Sequence, residues 1–327
     1  MEEAQNSDTA GVHGRRLLDT IPNTISKQAQ NFLKIIPLFA TDPSLDNWPK
    51  VKEATYKFYE KLNTDLKAKF VEKLEVLDIS GVPVNVITPK NYDSADDTRA
   101  IYYIHGGAYV LFSPQTTFGT WAPLSYESGL KIYAVDYRLA PEHPYPAAPD
   151  DCYSVYRELI KRYEPGRLGL FGDSAGGALA LVTALRASER GLPLPAAMVL
   201  SSPWADITKT GDSYYTNEGL DIVIHYEMNL RKSAEVYAGK YDMKNPEISP
   251  VYADYPRNFP PTMILTGTRD LLLSCCVRLN RKMKSAGIPV ELNAFEGMWH
   301  DHIGFPDMPE TDEAFADITT FFKQYIK

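Results

Sequence analysis

Three residues of this sequence have the types and surroundings of an activated nucleophile: Ser174, Asp270 and His300. Ser174 sits in Gly172-Asp173-Ser174-Ala175-Gly176, directly after the strand-like run Leu168–Phe171 and just before the helix-forming run Ala178–Ala187. A serine on a tight strand-to-helix turn is held in a strained conformation with its hydroxyl above the sheet. Glycines flank it where a Cβ would strike the neighbouring strand and helix. The N–H groups opening the new helix point at any anion forming beside the hydroxyl. A serine hydroxyl attacks only when a base takes its proton, and a histidine held in one tautomer by a carboxylate is suited to that task. Asp270 follows the run Thr262–Thr266 through Gly267-Thr268-Arg269, and His300 follows Val290–Phe295 through Glu296-Gly297-Met298-Trp299. Each falls at the carboxyl end of a strand, the side on which Ser174 emerges. The chemistry implied is acyl transfer to serine followed by hydrolysis.

Alternatives accompany each assignment. Asp270 also stands where it would cap the helix beginning at Leu273, and Asp136 and Asp206 are other carboxylates of the region. His302 lies two residues beyond His300 and competes with it as the base; His13 and His225 have weaker claims. An anionic tetrahedral intermediate also needs preorganised donors. His105-Gly106-Gly107-Ala108-Tyr109, directly after the apolar run Ala100–Ile104, is suited to supply them from Gly106 and Gly107, with Ala175 as the third. Tyr109, Trp204, Ile224, Trp299 and Phe305 are expected to line the substrate pocket, although each aromatic equally suits a core.

These residues are positioned by alternating elements. Strands are expected at Val71–Asp78 and Val82–Thr88, joined by Ser80-Gly81 as a hairpin, then at Ala100–Ile104, Lys131–Val135, Leu168–Phe171, Ala197–Leu200, Thr262–Thr266 and Val290–Phe295. Helices are expected near Thr117–Ser128, Pro149–Tyr163, Ala178–Ala187, Leu273–Ala286 and Asp312–Ile326. That rhythm calls for an α/β fold: a mostly parallel twisted sheet with helices on both faces and an antiparallel hairpin at one edge. Two helical patterns come first, one through Ile25, Ala29, Phe32, Leu33 and Ile36, the other through Val51, Thr55, Phe58 and Leu62. Asp46 or Asn47 would cap the second, Pro37 and Pro43 punctuate the link, and residues 1 to about 20 read as a tail. Between Trp204 and Tyr252 the rhythm stops, and a polar segment with Ile224, Met228 and Leu230 in one helix reads as a lid. The expected organisation is residues 1–68 as an N-terminal cap segment, 69–204 and 253–327 as the core, and 205–252 as a lid insertion.

Composition narrows the function. The 327 residues are 44% hydrophobic and 23% charged, as in ordinary globular proteins. A net charge of −8 argues against nucleic-acid and anionic-membrane partners. No segment approaches the about 18 consecutive apolar residues of a membrane span. The polar stretch Met1–Arg16 carries no signal-like apolar run, so a cytoplasmic location is expected. Cys152, Cys275 and Cys276 have no metal-binding spacing, and no metal or organic cofactor is expected. The edge strand Val290–Phe295 and its following helix offer a surface for pairing as a homodimer.

Four matches then carry a resemblance to the α/β-hydrolase fold, and within it to the hormone-sensitive-lipase-like esterases: His105-Gly106-Gly107, the run Asp136–Ala148, Gly172–Gly177, and Gly267–Asp270 paired with Gly297–His300. The resemblance covers roughly residues 70–327. It implies Ser174 as nucleophile, Asp270 as acid, His300 as base, and Gly106, Gly107 and Ala175 as oxyanion donors. It also implies that His105 anchors its loop rather than reacting, and that Asp136–Ala148 braces that loop. Three departures stand out. Ala108 replaces a third glycine, no second acidic residue follows Asp270 closely, and Asp301-His302 intervene before Gly304-Phe305 where the family has Gly-Phe directly after the histidine. The runs Glu296–His300 and Gly267–Ser274 look similar to those of members that open cyclic esters such as monoterpene lactones. The function this implies is hydrolysis of short- to medium-chain acyl esters or lactones, with activity rising through pH about 6 to 7 as the base loses its proton. Tyr109, Trp204 and Trp299 would contact the substrate. Cleavage of amides or carbamates, and binding without turnover as a receptor, are the competing readings.

Overall fold

The computed structural model describes residues 20–34 and 48–327. The expectations for the tail, His13, Ile36, Pro37, Pro43, Asp46 and Asn47, and for the side chains of Val51, Thr55 and Phe58, lie outside the described residues.

Eight strands form one sheet: β1 (Val71–Ile79), β2 (Val82–Pro89), β3 (Ala100–Ile104), β4 (Lys131–Val135), β5 (Leu168–Asp173), β6 (Met198–Ser201), β7 (Thr262–Gly267) and β8 (Val290–Phe295). Their order is β1-β2-β4-β3-β5-β6-β7-β8. The β1–β2 and β2–β4 pairs are antiparallel, and the other five are parallel. The central strands are covered on both faces, which is why they read as unbroken apolar runs. In β3, Tyr102 and Ile104 enter one core, whereas Ile101 and Tyr103 enter the other, as the two-residue period of a strand demands.

The described helices are α1 (Lys27–Phe32), α2 (Trp48–Phe70), α3 (Phe118–Ser128), α4 (Ala147–Arg162), α5 (Ser174–Glu189), α6 (Ser213–Thr216), α7 (Arg231–Ala238), α8 (Leu273–Ser285) and α9 (Pro309–Tyr325). Helices α4, α5 and α8 contribute to the first core, and α2, α3 and α9 to the second. Helix α5, which starts at Ser174, is buried from Ser174 to Ala187. Its alanines and glycines let it lie close against the sheet, so its N-terminus cannot drift from the strand that feeds it.

The N-terminal segment packs on the loop before His300. Ile25, Ala29 and Leu33 join Met298, Trp299 and Met308 in a third apolar cluster. Ser26 caps α1 at the N–H of Ala29 (3.0 Å), while its own N–H and hydroxyl donate to Glu310 at 2.7 and 2.8 Å.

The expected helix through Ile224, Met228 and Leu230 forms differently. Asp221 Oδ1 accepts the N–H groups of Val223 (2.8 Å) and Ile224 (3.3 Å), which holds that stretch in a turn. A single π turn, Tyr226–Leu230, then leads into α7. Among the described residues, no helix is long and apolar enough to cross a membrane.

Candidate active site

The junction of β5 and α5 turns so sharply that Ser174 has φ +50°. A Cβ at Gly172 would lie 2.4 Å from the Gly176 carbonyl oxygen, and one at Gly176 only 2.0 Å from that of Ile104, so the turn closes only with glycine on both sides. The Ser174 carbonyl accepts the N–H of Trp204 at 2.8 Å, which ties the turn to the chain leaving β6.

The loops after β7 and β8 meet this serine. His300 Nε2 lies 2.9 Å from Ser174 Oγ, and its Nδ1 lies 3.2 Å from Asp270 Oδ1. Asp270 Oδ1 also accepts the N–H of Leu272 (2.8 Å), and Oδ2 accepts the hydroxyl of Thr266 (2.9 Å). Burial would raise the Asp270 carboxyl, but the His300 imidazole, with help from the Leu272 N–H, holds it below the ordinary carboxylate range. Burial likewise opposes charge on His300, and the Asp301 and Asp270 carboxylates outweigh it, holding the imidazolium proton well above the ordinary histidine value.

His302 does not reach the serine. It is buried with its ring 4.9 Å from that of Phe295, and neither ring nitrogen has a hydrogen-bond partner among the described residues. Burial pulls it down to about 4. Asp206 is also elsewhere, paired with Arg278 at 2.6 Å and accepting the Tyr252 hydroxyl at 2.9 Å.

The loop after β3 stands against the nucleophile. Gly106 donates its N–H to Asp173 Oδ2 at 3.0 Å, so that donor is already engaged. The N–H groups of Gly107, Ala108 and Ala175 meet no acceptor among the described residues. Gly107 has φ +112°, and a Cβ there would lie 2.1 Å from the Leu111 carbonyl oxygen. His105 stacks on Tyr137 with ring centroids 4.2 Å apart, and the Tyr137 hydroxyl donates to the His105 carbonyl at 2.8 Å. Ala140 N–H donates to the Tyr109 carbonyl at 2.9 Å. The run Asp136–Ala148 thus contacts both ends of the glycine loop.

A cavity of about 150 Å³ opens above Ser174 and His300. Tyr59 and Leu62 of α2 line one side, and Val223, Ile224 and Leu230 line another. Of the aromatic and apolar residues expected to line it, Ile224 and Phe305 do so. Tyr109, Trp204 and Trp299 are not among the lining residues. Tyr109 lies flat on Tyr237, with centroids 3.6 Å apart, and beside Trp204. Trp204 donates to the Tyr214 hydroxyl at 3.1 Å, and Trp299 meets Phe305 edge-on at 5.4 Å. Rings of this size lose more water-exposed apolar area in a core than at a cavity wall.

Two carboxylates in the site, Asp221 and Asp301, carry no motif of their own, and a third, Asp173, lies in the Gly172–Gly177 motif beside the serine. Asp173 accepts the Tyr103 hydroxyl at 2.6 Å besides Gly106, and burial, then the Asp301 charge, push it up to about 8. Asp221, from the segment between β6 and β7, accepts the N–H groups of Leu271 (2.9 Å) and His300 (3.2 Å) through Oδ2. Asp301 lies beside His300 Nε2. Neither Asp221 nor Asp301 repeats with a period or stands in a turn signature that would single it out. The one sequence signal was Asp301 in place of a glycine.

Similarity to known proteins identifies the fold family. The sequence profile of the alpha/beta hydrolase fold family matches residues 101–304. An acetyl-hydrolase of Streptomyces hygroscopicus is 35% identical over 69% of this chain and 76% of its own. The crystal structure of an esterase superposes with a TM-score of 0.85 at 31% identity, covering 94% of this chain and 96% of that one. A second, an esterase from the bacterial hormone-sensitive lipase family, gives 0.76 at 31% identity over 87% and 99%. The sheet order, the serine at the β5–α5 turn and these relatives place the chain in the α/β-hydrolase family, among the hormone-sensitive-lipase-like carboxylesterases.

Proposed function

We propose that the protein hydrolyses short- to medium-chain carboxylic esters, cyclic esters included, through Ser174, His300 and Asp270. The observation that carries this reading is His300, bonded to Ser174 through one ring nitrogen and to Asp270 through the other on the floor of a mainly apolar cavity. Ser174 Oγ attacks the carbonyl carbon and His300 Nε2 takes the hydroxyl proton. The tetrahedral oxyanion is held by backbone N–H groups. Gly107 and Ala175 are free for this task, whereas the Gly106 donor is engaged by Asp173, so Ala108 takes its place. The C–O bond then breaks, and the Nε2 proton passes to the departing alcohol. Water gives a proton to the same nitrogen as its oxygen attacks the acyl carbon; the acyl–Oγ bond then breaks, the Nε2 proton returns to Ser174 Oγ and the acid leaves. Asp270 orients the imidazole and stabilises it when charged.

The cavity supports small, uncharged acyl groups. A space of this size holds a group about as large as benzene, and among the described residues no lysine or arginine lines it to receive a substrate carboxylate. The name of the acetyl-hydrolase relative points the same way. Residues 1–68 and 205–252 act together as a cap over the core of 69–204 and 253–327, a reading supported by the walls that α2 and the second segment contribute.

The test is hydrolysis of p-nitrophenyl esters from acetate to palmitate, with lactones and anilides alongside, by wild type, Ser174→Ala, His300→Ala and His302→Ala. Fast turnover of short esters, with a loss on the order of a million-fold at Ser174 and His300 and little loss at His302, is the expected result. Retained turnover in Ser174→Ala or His300→Ala would overturn the reading. Binding of esters without turnover by wild type would promote a receptor.

A further inference from the structure

Asp301 follows His300 with φ +49° and ψ +43°, a left-handed conformation that L side chains adopt reluctantly and glycine adopts freely. A strained residue inside a site is kept only where its surroundings hold it. Its N–H donates to Ser202 Oγ at 3.1 Å, and its Oδ1 accepts the Ser201 hydroxyl at 3.0 Å. Those two bonds aim Oδ2 at His300 Nε2, 3.2 Å away. This is the same nitrogen that faces Ser174 Oγ at 2.9 Å. The imidazole therefore has a carboxylate on each ring nitrogen, and Nε2 has two oxygen partners.

An unprotonated Nε2 presents a lone pair to the Asp301 oxygen, and the two repel. A single proton placed between them converts the contact into a strong hydrogen bond. Among the described residues no lysine or arginine lines the cavity, so of these the imidazole is the cation that can answer Asp301. The ionisable groups facing this pair are Asp173 at the end of β5, Asp221 from the segment before β7, and Asp270 after β7. Buried Tyr103 of β3 and Cys276 of α8 also feel Asp301.

Resting on the triad reading above, we propose that Asp301 competes with Ser174 for His300 Nε2. The base becomes available only when the proton shared by Asp301 and His300 has left, and the enzyme consequently favours esters with good leaving groups. The second half follows from proton accounting. In the first step the Ser174 proton moves to Nε2 as the Oγ–C bond forms. In the second, the C–O bond breaks and that same proton must reach the departing oxygen. Asp301 Oδ2 accepts a hydrogen bond from the protonated Nε2, which eases the first transfer and makes the imidazolium a weaker acid for the second. A phenolate or enolate departs without the proton, whereas an alkoxide needs it.

The test compares p-nitrophenyl butyrate with ethyl butyrate across pH for wild type, Asp301→Gly and Asp301→Asn. Glycine suits the backbone at this position, so Asp301→Gly keeps the fold and its melting temperature serves as the control. The acid limb of kcat/KM is expected to move to lower pH in both variants. On that limb, activity rises about tenfold for each pH unit moved. The ethyl to p-nitrophenyl rate ratio is expected to rise several-fold. In a Ser174→Ala background, where turnover plays no part, NMR titration of His300 is expected to show the same downward movement when Asp301 is replaced. An unmoved titration with an unchanged ester ratio overturns the proposal, as does a loss of kcat that is equal at every pH. Retained activity in His300→Ala would instead sink the triad reading, so the two failures are distinct.

Discussion

Asp221→Ala separates positioning of the active-site loops from folding. Asp221 comes from the segment between β6 and β7, yet its Oδ2 holds the N–H groups of Leu271 and His300, and its Oδ1 those of Val223 and Ile224. Burial, then repulsion from Asp270, push its carboxyl from 3.8 to about 6. At 1.36 kcal/mol per pH unit, that displacement is a penalty of about 3 kcal/mol on the ionised form at neutral pH. Alanine removes the penalty but strands two well-made donors, the buried one on Leu271 and the half-buried one on Val223, at about 1–3 kcal/mol each. The two sides nearly cancel, so the net loss of stability is about 1 kcal/mol, a few degrees in Tm. The catalytic loss is larger, because a shift of about 1 Å in a reacting group costs about a hundredfold. The expected result is a kcat about a hundred times lower with Tm reduced by only a few degrees, read by steady-state kinetics and thermal melts. The folded carboxyl titrates above its unfolded value. The stability it contributes is therefore complete below about 4 and lost as pH rises to about 6. The Tm gap between wild type and variant must narrow over that window. Activity within about threefold of wild type would refute the reasoning, as would a loss that merely tracked the unfolded fraction.

Gly107→Ala forces a methyl group to within 2.1 Å of the Leu111 carbonyl at a φ of +112°, so the loop must move and a donor is lost. The expected cost is on the order of a hundred- to thousand-fold in kcat with KM little changed, measured on p-nitrophenyl acetate. His302→Met removes two buried ring nitrogens that have no partners among the described residues, and is expected to leave kcat within about threefold of wild type. Its folded value of about 4 lies below the ordinary 6.5, so His302 withdraws stability as pH falls from about 6.5 to about 4, by about 3 kcal/mol in full. Melts from pH 4 to 7 should show a flatter acid side in the variant, and an unchanged slope would count against this account.

Local rules made much of this protein legible in its sequence. The turn at Ser174 needs glycine two residues before and two after it, and that spacing is visible in the sequence, although the clash at Gly176 comes from Ile104 of β3. Strands buried on both faces read as apolar runs, and the parallel connections follow from chain handedness, so the sheet and the loops bearing Asp270 and His300 could be placed. Other features depend on residues that only folding brings together. Ala100–Ile104 looks the same whether or not the next glycine donates to Asp173, and that single bond decides which N–H groups remain free. Tyr109, Trp204 and Trp299 are apolar enough for a cavity or a core, and Tyr237, Tyr214 and Phe305 supplied the core. Asp221 and Asp270 meet only because the chain between β6 and β7 folds back over the loops of the site. The sequence by itself determined the glycine-flanked turn at Ser174, the strands of the sheet and the strand-end positions of Asp270 and His300, because turns and strands leave local patterns of glycine and apolar residues. Tertiary structure alone decided the second carboxylate on His300 and the carboxylate that ties the overlying segment to both loops, because a buried charge takes its role from neighbours distant in the chain.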